Sequence, residues 1–288
     1  MSPEVAVVIP SYNSRQFLEA TIASVRAQTL VPDEIVVVDD GSTDGTAELA
    51  EDLGVRCIRK QNGGPASARN RGVKETKAPL LAFLDADDLF LPDKLERQLA
   101  LLSQGGIVAC CSNAWVIQDD KQRRLKNRGD VASALTFKSL LEGNPVICST
   151  VVVRRDCFEE AGGFDEDRVL IATEDYDLWL RLARLGRLAY LDVPLAEYRT
   201  HGASLSGSSR FLAGSDHIMD KVEERWGREP GVPELARRRR QAVRVDAAYD
   251  LARTGNGRRA RQLLREAKAL GGWGWKERKV WLRSLLSV

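Results

Sequence analysis

The first hundred residues alternate between short apolar runs and segments with helical periodicity. The apolar runs predict buried strands, and the periodic segments between them predict helices. The predicted strands are 5–9, 35–38, 55–58 and 80–84, and the predicted helices are 14–28, 44–53, 65–75 and 92–102, the last with Pro92 in its first turn. Near-continuous apolar strands are typical of a mostly parallel sheet with helices on both faces. The pattern therefore predicts an α/β fold.

The pattern is less regular beyond residue 106. Apolar runs predict strands at 107–111, 150–153, 188–191 and 195–198, and periodic segments predict helices at 135–142, 156–161 and 176–185. From about Ser208 onwards the sequence predicts only helices. Two of them, around Gly255-Asn256-Gly257, resemble one helical hairpin of a tetratricopeptide-type repeat, but one unit is not an array. We therefore predict a sheet domain at 1–206 and a helical, basic C-terminal extension at 207–288.

Polar residues follow three of the predicted strands directly. Strand 5–9 is followed by Pro10-Ser11-Tyr12-Asn13, strand 35–38 by Asp39-Asp40, and strand 80–84 by Asp85-Ala86-Asp87-Asp88. In an open α/β sheet, ligands bind beyond the carboxyl ends of the strands. The sequence therefore predicts a binding crevice, rich in carboxylates, at this edge of the sheet.

The carboxylates in these segments allow two interpretations. The D-x-D pair of Asp85 and Asp87 supplies hard oxygen ligands for Mg²⁺ or Mn²⁺. Alternatively, these residues occupy a polar turn or a helix start, where Asp is favoured. In VVVDDGSTDGT, Asp40 is the candidate for ligand binding and Asp44 a structural residue at a helix start. The sequence contains neither a G-x-x-x-x-G-K-[ST] phosphate loop nor a G-x-G-x-x-G motif.

The charge distribution separates the two predicted parts. The net charge of +2 combines a balance of +9 for residues 206–288 with a balance of −7 for residues 1–205. This asymmetry indicates parts with different roles. No apolar run approaches the ~20 residues of a membrane helix, and the N-terminal residues show no signal-peptide pattern. Five cysteines without a C-x-x-C pair fit the reduced thiols of a cytoplasmic protein.

Several ordered motifs resemble glycosyltransferase family 2, whose members have the GT-A fold. The motifs are VVIPSYNSRQFLEATIASVRAQTLVPDEIVVVDDGSTDGT, NGGPASARNRG, LAFLDADDLFLPDKLERQ, TEDYDLWLRLARLG and EYRTHGASLS. They span residues 4 to about 206, roughly 70% of the chain, and their order is more specific than any one of them. The resemblance implies a GT-A, Rossmann-like sheet. It also implies transfer of a sugar from a nucleotide sugar, commonly a UDP-sugar, with inversion at the anomeric carbon.

The resemblance also assigns nucleotide-binding residues. By their positions in the family motifs, these residues would be Pro10, Ser11, Tyr12, Asp40, Gly63, Gly64, Arg69, Asp85 and Ala86. Asp40 would bind the edge of the base, and Asp85 would face the ribose. Gly63 and Gly64 would let the chain pass close to the nucleotide.

The metal ligands implied by the resemblance are Asp87, Asp85 and His201, with Asp88 as an alternative. They would hold Mg²⁺ or Mn²⁺ against the diphosphate, where an ion stabilises the charge of the leaving group. His217 has no motif around it and is assigned no role.

The resemblance assigns the catalytic base to an acidic pair. Asp175 would take the proton of the acceptor hydroxyl, with Glu174 as the alternative. The competing interpretation is a helix start with Thr173 as its cap and two acids in its first turn. Trp179, about one turn further on, is expected in the core rather than as an acceptor platform.

The chain departs from the processive members of the family. It contains no Q-x-x-R-W motif, because its nearest match, at 222–226, lacks the Gln. We therefore expect transfer of a single sugar to a saccharide or a lipid-linked acceptor. The oligomeric state, the base of the donor and its sugar are not predicted.

The C-terminal segment predicts a basic amphipathic helix. Trp281, Leu282, Leu285 and Leu286 lie largely on one side of it, and Lys276, Lys279 and Arg283 lie on another. Such a helix either rests on anionic lipid at the inner face of the membrane or packs on its neighbours. No nucleic-acid-binding module is recognisable.

Two other classes of protein are compatible with the pattern. A nucleotidyltransferase uses a nucleotide, Mg²⁺ and a similar sheet, but its Gly-rich, basic loop after the first strand is missing here. A non-catalytic nucleotide-sugar-binding or scaffold protein is the other, and the intact carboxylates at 85, 87, 174 and 175 argue against it.

Overall fold

The computed structural model describes residues 4–118, 122–129, 131–200, 208–272 and 274–286. In this part of the chain the strands are β1 (Val5–Ser11), β2 (Glu34–Asp39), β3 (Arg56–Arg59), β4 (Leu80–Phe83), β5 (Leu89–Phe90), β6 (Ile107–Gln118), β7 (Gln122–Leu125), β8 (Ala134–Leu135), β9 (Val152–Arg154) and β10 (Arg187–Thr200). The helices are α1 (Arg15–Arg26), α2 (Thr46–Asp52), α3 (Pro65–Lys74), α4 (Lys94–Leu102), α5 (Phe137–Glu142), α6 (Arg155–Glu160), α7 (Glu174–Leu185), α8 (Ser208–Trp226), α9 (Val232–Arg253), α10 (Gly257–Leu270) and α11 (Trp275–Leu286). Short 3₁₀ turns lie at Cys148–Thr150 and Arg168–Leu170.

The strands form one mixed sheet in the order β3-β2-β1-β4-β9-β6-β10-β5. The neighbours β3, β2, β1 and β4 are parallel, as are β6 and β10, whereas β9 is antiparallel to both β4 and β6. β7 pairs with β6, and β8 pairs with β10. The predicted α/β class is confirmed, with two parallel blocks, β3-β2-β1-β4 and β6-β10, joined through the antiparallel β9. Because β4 and β6 both oppose β9, their carboxyl ends point to the same edge.

Close packing of α3 on the sheet depends on one glycine. A Cβ atom built at Gly72 would lie 2.4 Å from Val8 Cγ1 and 3.2 Å from Val38 Cγ2. These valines belong to β1 and β2, and both are fully buried. Gly72 therefore lets α3 approach the two strands at a distance that a larger residue would prevent, and α3 carries Arg69 to the sheet edge.

The structure corrects several predicted boundaries. The strands predicted at 188–191 and 195–198 are one strand, β10, which accommodates Pro194 through register shifts on either side of it. The strand predicted at 107–111 continues to Gln118, and the one predicted at 150–153 begins only at Val152, after a 3₁₀ turn. Pro92 precedes α4, whose N-cap is Asp93. Pro194 misled the prediction because proline usually ends a strand, whereas a bulge tolerates it.

The chain divides into two compact units. The first comprises Met1–Leu140, Asn144–Glu166 and Glu174–Ser204, and the second comprises Leu141–Gly143, Asp167–Thr173 and Leu205–Val288. The first contains the sheet. The second has its own apolar core, built from side chains of α9, α10 and α11. It also includes two short segments, 141–143 and 167–173, that lie outside the predicted extension at 207–288. Among the described residues, no helix combines the length and apolar character needed to cross a bilayer.

Candidate functional site

The ends of β1, β2 and β4 lie side by side at one edge of the sheet. Ser11 at the end of β1 is in register with Asp39 at the end of β2. On the other side, the Leu84 N–H donates to the Val8 carbonyl at 3.2 Å, so Asp85 follows directly at the same edge. The structure thus brings together the polar segments that the sequence placed after three separate strands.

Asp40 forms hydrogen bonds that connect the loop at 60–64 to this edge of the sheet. Its Oδ1 accepts from the Gly63 N–H at 2.9 Å and from Lys60 Nζ at 2.7 Å, and its Oδ2 accepts from the Gly64 N–H at 2.7 Å. Gly64 has a φ of 89°, a conformation that favours glycine. Asp40, Gly63 and Gly64 therefore form one connected structure. Lys60 was not predicted, because a lone lysine after a strand resembles any surface charge.

The three residues predicted to line the base pocket differ in exposure. Pro10 and Ser11 are buried within β1, and the Ser11 hydroxyl contacts the Ser14 hydroxyl at 3.1 Å. Tyr12 follows at the end of the strand with 54% of its surface exposed. An exposed aromatic ring at this edge presents a flat face on which a base can stack.

Arg69 of α3 joins two carboxylates from distant parts of the chain. Its Nη2 donates to Asp85 Oδ1 at 2.6 Å and its Nη1 donates to Glu174 Oε1 at 2.7 Å. The guanidinium is buried, with its Cζ 5.2 Å from the centre of the Phe164 ring. Both arms of Arg69 are therefore engaged by protein carboxylates. Phe164 was not predicted, since a phenylalanine gives no sequence signal for such a position.

Glu174 and Asp175, the predicted acidic pair, have different surroundings. Glu174 is buried against Arg69, and its Oε2 has no hydrogen-bond partner among the described residues. Asp175 is only half-buried, and its Oδ1 accepts from the Tyr176 N–H at 2.7 Å. Trp179, further along α7, is fully buried, which confirms its expected place in the core.

The surroundings of Asp175 raise its pKa to about 7. Desolvation is the largest cause, followed by the nearby Glu174 carboxylate, whereas Arg69 and the Tyr176 N–H act in the opposite direction. A carboxylate with a pKa near 7 accepts a proton at neutral pH far better than an ordinary aspartate, since it is a stronger base.

Asp88 faces the interior rather than the open edge. It is fully buried, its Oδ1 accepts from the Arg199 N–H at 2.9 Å, and its Oδ2 accepts from the Ser149 hydroxyl. Burial raises its pKa well above the usual value, and the carboxylates of Asp87 and Asp85 add to this. Asp88 therefore anchors the turn, and Asp87, half-buried, is the better candidate for an ion.

The turn at 85–88 has further anchors. The Thr21 hydroxyl donates to the carbonyls of Ala86 and Asp88, at 2.8 Å and 3.0 Å. The Asp85 N–H donates to the Ser149 hydroxyl at 3.1 Å. Ser149 thus supports two residues of the turn. It lies in the weakly patterned region before β9, where nothing in the sequence distinguished it.

The carboxylates of four aspartates raise the pKa of one tyrosine hydroxyl near this turn. The pKa of the Tyr198 hydroxyl is raised by burial and then by Asp88, Asp85, Asp87 and Asp175. The predicted catalytic and metal-binding aspartates are therefore close enough to share one electrostatic environment.

The described residues contain no preformed cluster of three or more His, Cys, Asp or Glu side chains for a metal. His201, a predicted ligand, lies outside the described residues. Asp85 and Asp87 nevertheless fit an ion such as Mg²⁺. Such an ion takes one or two carboxylates from a protein and completes its shell with water and phosphate oxygens.

Comparison with known proteins identifies the family. Residues 6–162 match the model of glycosyl transferase family 2. The chain belongs to this family, and it is a glycosyltransferase with a GT-A fold.

Two curated relatives and one solved structure illustrate the similarity. The putative teichuronic acid biosynthesis glycosyltransferase TuaG of Bacillus subtilis is 31% identical over 230 residues, which cover 77% of this chain and 89% of that protein. The Escherichia coli UDP-Glc:alpha-D-GlcNAc-diphosphoundecaprenol beta-1,3-glucosyltransferase WfgD is 27% identical over 213 residues, which cover 72% and 81%. The structure of Staphylococcus aureus TarS 1–349 in complex with UDP-GlcNAc aligns with a TM-score of 0.61 at 17% identity, over 98% of this chain and 92% of that one.

Proposed function

We propose that this glycosyltransferase moves a single sugar from a UDP-sugar to a hydroxyl group of a saccharide or lipid-linked acceptor, with inversion at the anomeric carbon. The observation that carries the proposal is the half-buried Asp175, whose pKa is raised to about 7, beside the Asp85–Arg69–Glu174 bridge. In this bridge Glu174 is already paired with Arg69. Asp175 is therefore the carboxylate that takes part in proton transfer.

In the proposed reaction, an acceptor hydroxyl attacks the anomeric carbon from the side opposite the UDP group. As the new C–O bond forms, Asp175 takes the hydroxyl proton. The bond between the sugar and the diphosphate breaks, and UDP leaves with the bonding electrons. A single displacement of this kind inverts the anomeric centre, because the nucleophile and the leaving group occupy opposite faces.

The donor site in this proposal follows the sheet edge. The exposed ring of Tyr12 stacks on the base, with Pro10 and Ser11 behind it. Asp40 binds the base edge while it holds Gly63 and Gly64 in place. Asp85 lies on the ribose side of the site.

Asp87 and Asp85, together with His201 as predicted from the family motif, would hold a divalent ion. When bound, Mg²⁺ or Mn²⁺ neutralises the charge that develops on the diphosphate. The protein's own contribution is to fix the turn at 85–88 through Thr21 and Ser149, so that the carboxylates need not reorganise when the donor binds.

UDP release from a panel of UDP-sugars tests the proposal, because slow donor hydrolysis needs no acceptor. The protein is assayed with Mn²⁺, with Mg²⁺ and with EDTA, and alongside Asp87→Asn. Asp93→Asn is the matched control, since Asp93 lies in the next turn and pairs with Arg97 at 2.5 Å. We expect release from one donor with either ion, little with EDTA or Asp87→Asn, and normal release from Asp93→Asn.

Two other outcomes would change the assignment. UDP binding without turnover of any donor, also in the presence of candidate acceptors, would favour the non-catalytic nucleotide-sugar-binding protein. Release of diphosphate from a nucleoside triphosphate in the presence of a sugar phosphate would favour the nucleotidyltransferase.

We further propose that the second unit contacts anionic lipid at the inner face of the membrane. Leu282 and Leu285 of α11 expose 64% and 54% of their surfaces, and the exposed Arg278 and Lys279 lie on the same helix. An exposed apolar pair among cations fits an anionic lipid surface.

Co-sedimentation with phosphatidylglycerol vesicles tests the lipid contact. Binding should exceed that to phosphatidylcholine vesicles and fall in Leu282→Ser/Leu285→Ser. It should persist in Val31→Ser, which changes an equally exposed apolar residue of the first unit. Equal binding by all three proteins would contradict the contact.

A further inference from the structure

The hairpin of β6 and β7 carries two cations that the proposed chemistry does not use. Arg124 and Lys126 are exposed, and neither side chain has an ion-pair partner in the described part of the chain. Their neighbour Arg123 differs, since it pairs with Glu197 at 3.1 Å and lies 4.5 Å from the centre of the Trp115 ring. Side chains alternate along a strand. Arg123 and Arg124 therefore lie on opposite faces of β7, and Lys126 follows at the bend directly after the strand.

Strand register relates these cations to the catalytic edge. Val152 of β9 pairs with Ala82 of β4 on one side and with Cys110 of β6 on the other. β4 and β6 run in the same direction, and both Asp85, two residues beyond the end of β4, and Asn113 of β6 follow three residues after this paired position. The Lys126 N–H donates to the carbonyl of Ala114, the next residue of β6, at 2.9 Å.

The backbone next to Lys126 is held rigidly. Asn113 Nδ2 donates to the Asn127 carbonyl at 2.9 Å, and the Asn127 N–H donates to Asn113 Oδ1 at 3.1 Å. The Asn127 side chain in turn donates to the Tyr190 hydroxyl at 2.9 Å and to the Pro145 carbonyl at 3.0 Å. These four hydrogen bonds fix the backbone next to Lys126, so ligand binding would not have to order that backbone.

The charges of Arg124 and of Asp175, the proposed base, both act on Lys126. Although the Lys126 side chain reaches solvent, desolvation by the surrounding protein lowers its pKa, Arg124 lowers it further, and Asp175 raises it. Arg124 and Lys126 thus repel each other, and neither forms an ion pair with a described residue. An anion bound between them would relieve this repulsion. Its charge would also act on the nearby Asp175 carboxylate.

We infer that Arg124 and Lys126 bind the diphosphate of the acceptor, and that the acceptor is a glycosyl diphosphate rather than a neutral saccharide. The inference rests on the proposed function, because it takes Asp175 to mark the acceptor side of the site. A diphosphate diester carries two negative charges, which matches these two cations. Its binding would hold the attached sugar near Asp175 and orient the attacking hydroxyl.

Calorimetry on protein saturated with UDP tests the inference, because UDP occupies the donor's own diphosphate site. The probes are n-decyl diphosphate and n-decyl β-D-glucuronide, which share an alkyl chain and differ in the anionic group. We expect n-decyl diphosphate to bind the wild-type protein, and the Arg124→Ala/Lys126→Ala variant to bind it at least about tenfold more weakly. Arg123→Ala, the matched control from the opposite face, should stay within about twofold of the wild type.

Three results would overturn the inference: no binding of n-decyl diphosphate, equal binding of the two probes by the wild-type protein, or equal affinity of the double variant and Arg123→Ala. Circular dichroism spectra of all variants establish that the hairpin changes leave the fold intact. Because the readout is binding and not turnover, it is independent of the donor-hydrolysis assay. If no UDP-sugar is hydrolysed, the proposed function fails; if hydrolysis occurs but the double variant binds normally, only the present inference fails.

Discussion

Arg69 Nη1 lies 2.7 Å from Glu174 Oε1, although the two residues are 105 positions apart in the sequence. Both side chains are buried, and a buried charge needs a partner of opposite sign. The pair therefore fixes Glu174 in a structural position at the start of α7. The adjacent Asp175 remains half-buried and becomes the candidate base, although the sequence alone did not separate the two acids.

Replacing each acid in turn should separate their roles. In Asp175→Asn, we expect kcat to fall by about 10²–10⁴, because the acceptor proton loses its base, while UDP affinity stays within about twofold. In Glu174→Gln, the amide can still accept from Arg69, so a smaller loss of kcat accompanied by lower stability is expected. Steady-state kinetics and calorimetric UDP titration measure both quantities. A larger kcat loss in Glu174→Gln than in Asp175→Asn would reverse the assignment.

The pH dependence of kcat should report the raised pKa of Asp175. The base must be ionised, so kcat should rise with pH through about 7 and level off above it. Arg69 lowers this pKa, and Arg69→Lys, with a less well-matched cation, should shift the midpoint upwards. Kinetics between pH 5.5 and 9 measure the midpoint. A flat profile over this range would mean that Asp175 does not titrate in the rate-limiting step.

Arg69→Met should strongly destabilise the first unit. Removing one partner of a buried ion pair leaves the other charge uncompensated, which costs about 3–5 kcal/mol. Arg71→Met on the same helix should cost no more than about 1 kcal/mol, since Arg71 is exposed and pairs with Glu75 at the surface. Urea unfolding followed by fluorescence compares the two variants. Similar losses in both would show that the Arg69 bridge adds nothing beyond an ordinary surface pair.

Lys94 should make stability increase with pH. The side chain is fully buried, donates from Nζ to Gln98 Oε1 at 2.6 Å and lies 4.2 Å from the centre of the Phe90 ring. Burial lowers its pKa to about 7, whereas an unfolded lysine has a pKa of about 10.4. Between these values the unfolded chain binds more protons, so the free energy of unfolding rises with pH, by up to about 1.4 kcal/mol per unit.

Urea unfolding at pH 7, 8 and 9 measures this slope. Lys94→Met should lose the increase, whereas Lys74→Met should retain it because Lys74 is exposed on α3. If the wild type and Lys94→Met had parallel pH profiles, the Lys94 ammonium would be ionised in the folded protein across the whole range.

Gly72→Ala should destabilise the packing of α3 on the sheet. The new methyl group would meet Val8 Cγ1 at 2.4 Å, and β-branched valines in a strand cannot easily change rotamer. Overpacking costs about 1–3 kcal/mol, which exceeds the ~1 kcal/mol gained in helix propensity. Gly105→Ala is the control, because a Cβ there has no neighbour within 4 Å. Thermal unfolding compares the two, and an unchanged or higher Tm for Gly72→Ala would show that α3 can move away at no cost.

The sequence predicted those parts of the fold that carry a local signal. β1, β2 and β4 were predicted to within two residues, because buried parallel strands are continuous apolar runs. β10 was predicted as two strands separated at Pro194. Pairing with β6, with register shifts on either side of Pro194, makes it one strand. Ser149 and Lys60 were missed for a related reason. Ser149 acts through hydrogen bonds with Asp85 and Asp88, and Lys60 through one with Asp40; contacts between residues so far apart in the sequence leave no local pattern.

The sequence by itself determined the alternation of strands and helices, the acidic segments behind three strands and membership of the family, since all of these depend on residue order. Only the tertiary structure decided which carboxylates are paired, buried or open. Arg69, Asp85 and Glu174 lie in three separate motifs, and their ion pairs exist because α3, β4 and α7 meet at one edge. The raised pKa of Asp175 has the same origin, because desolvation and neighbouring charge depend on distances in space rather than on positions along the chain.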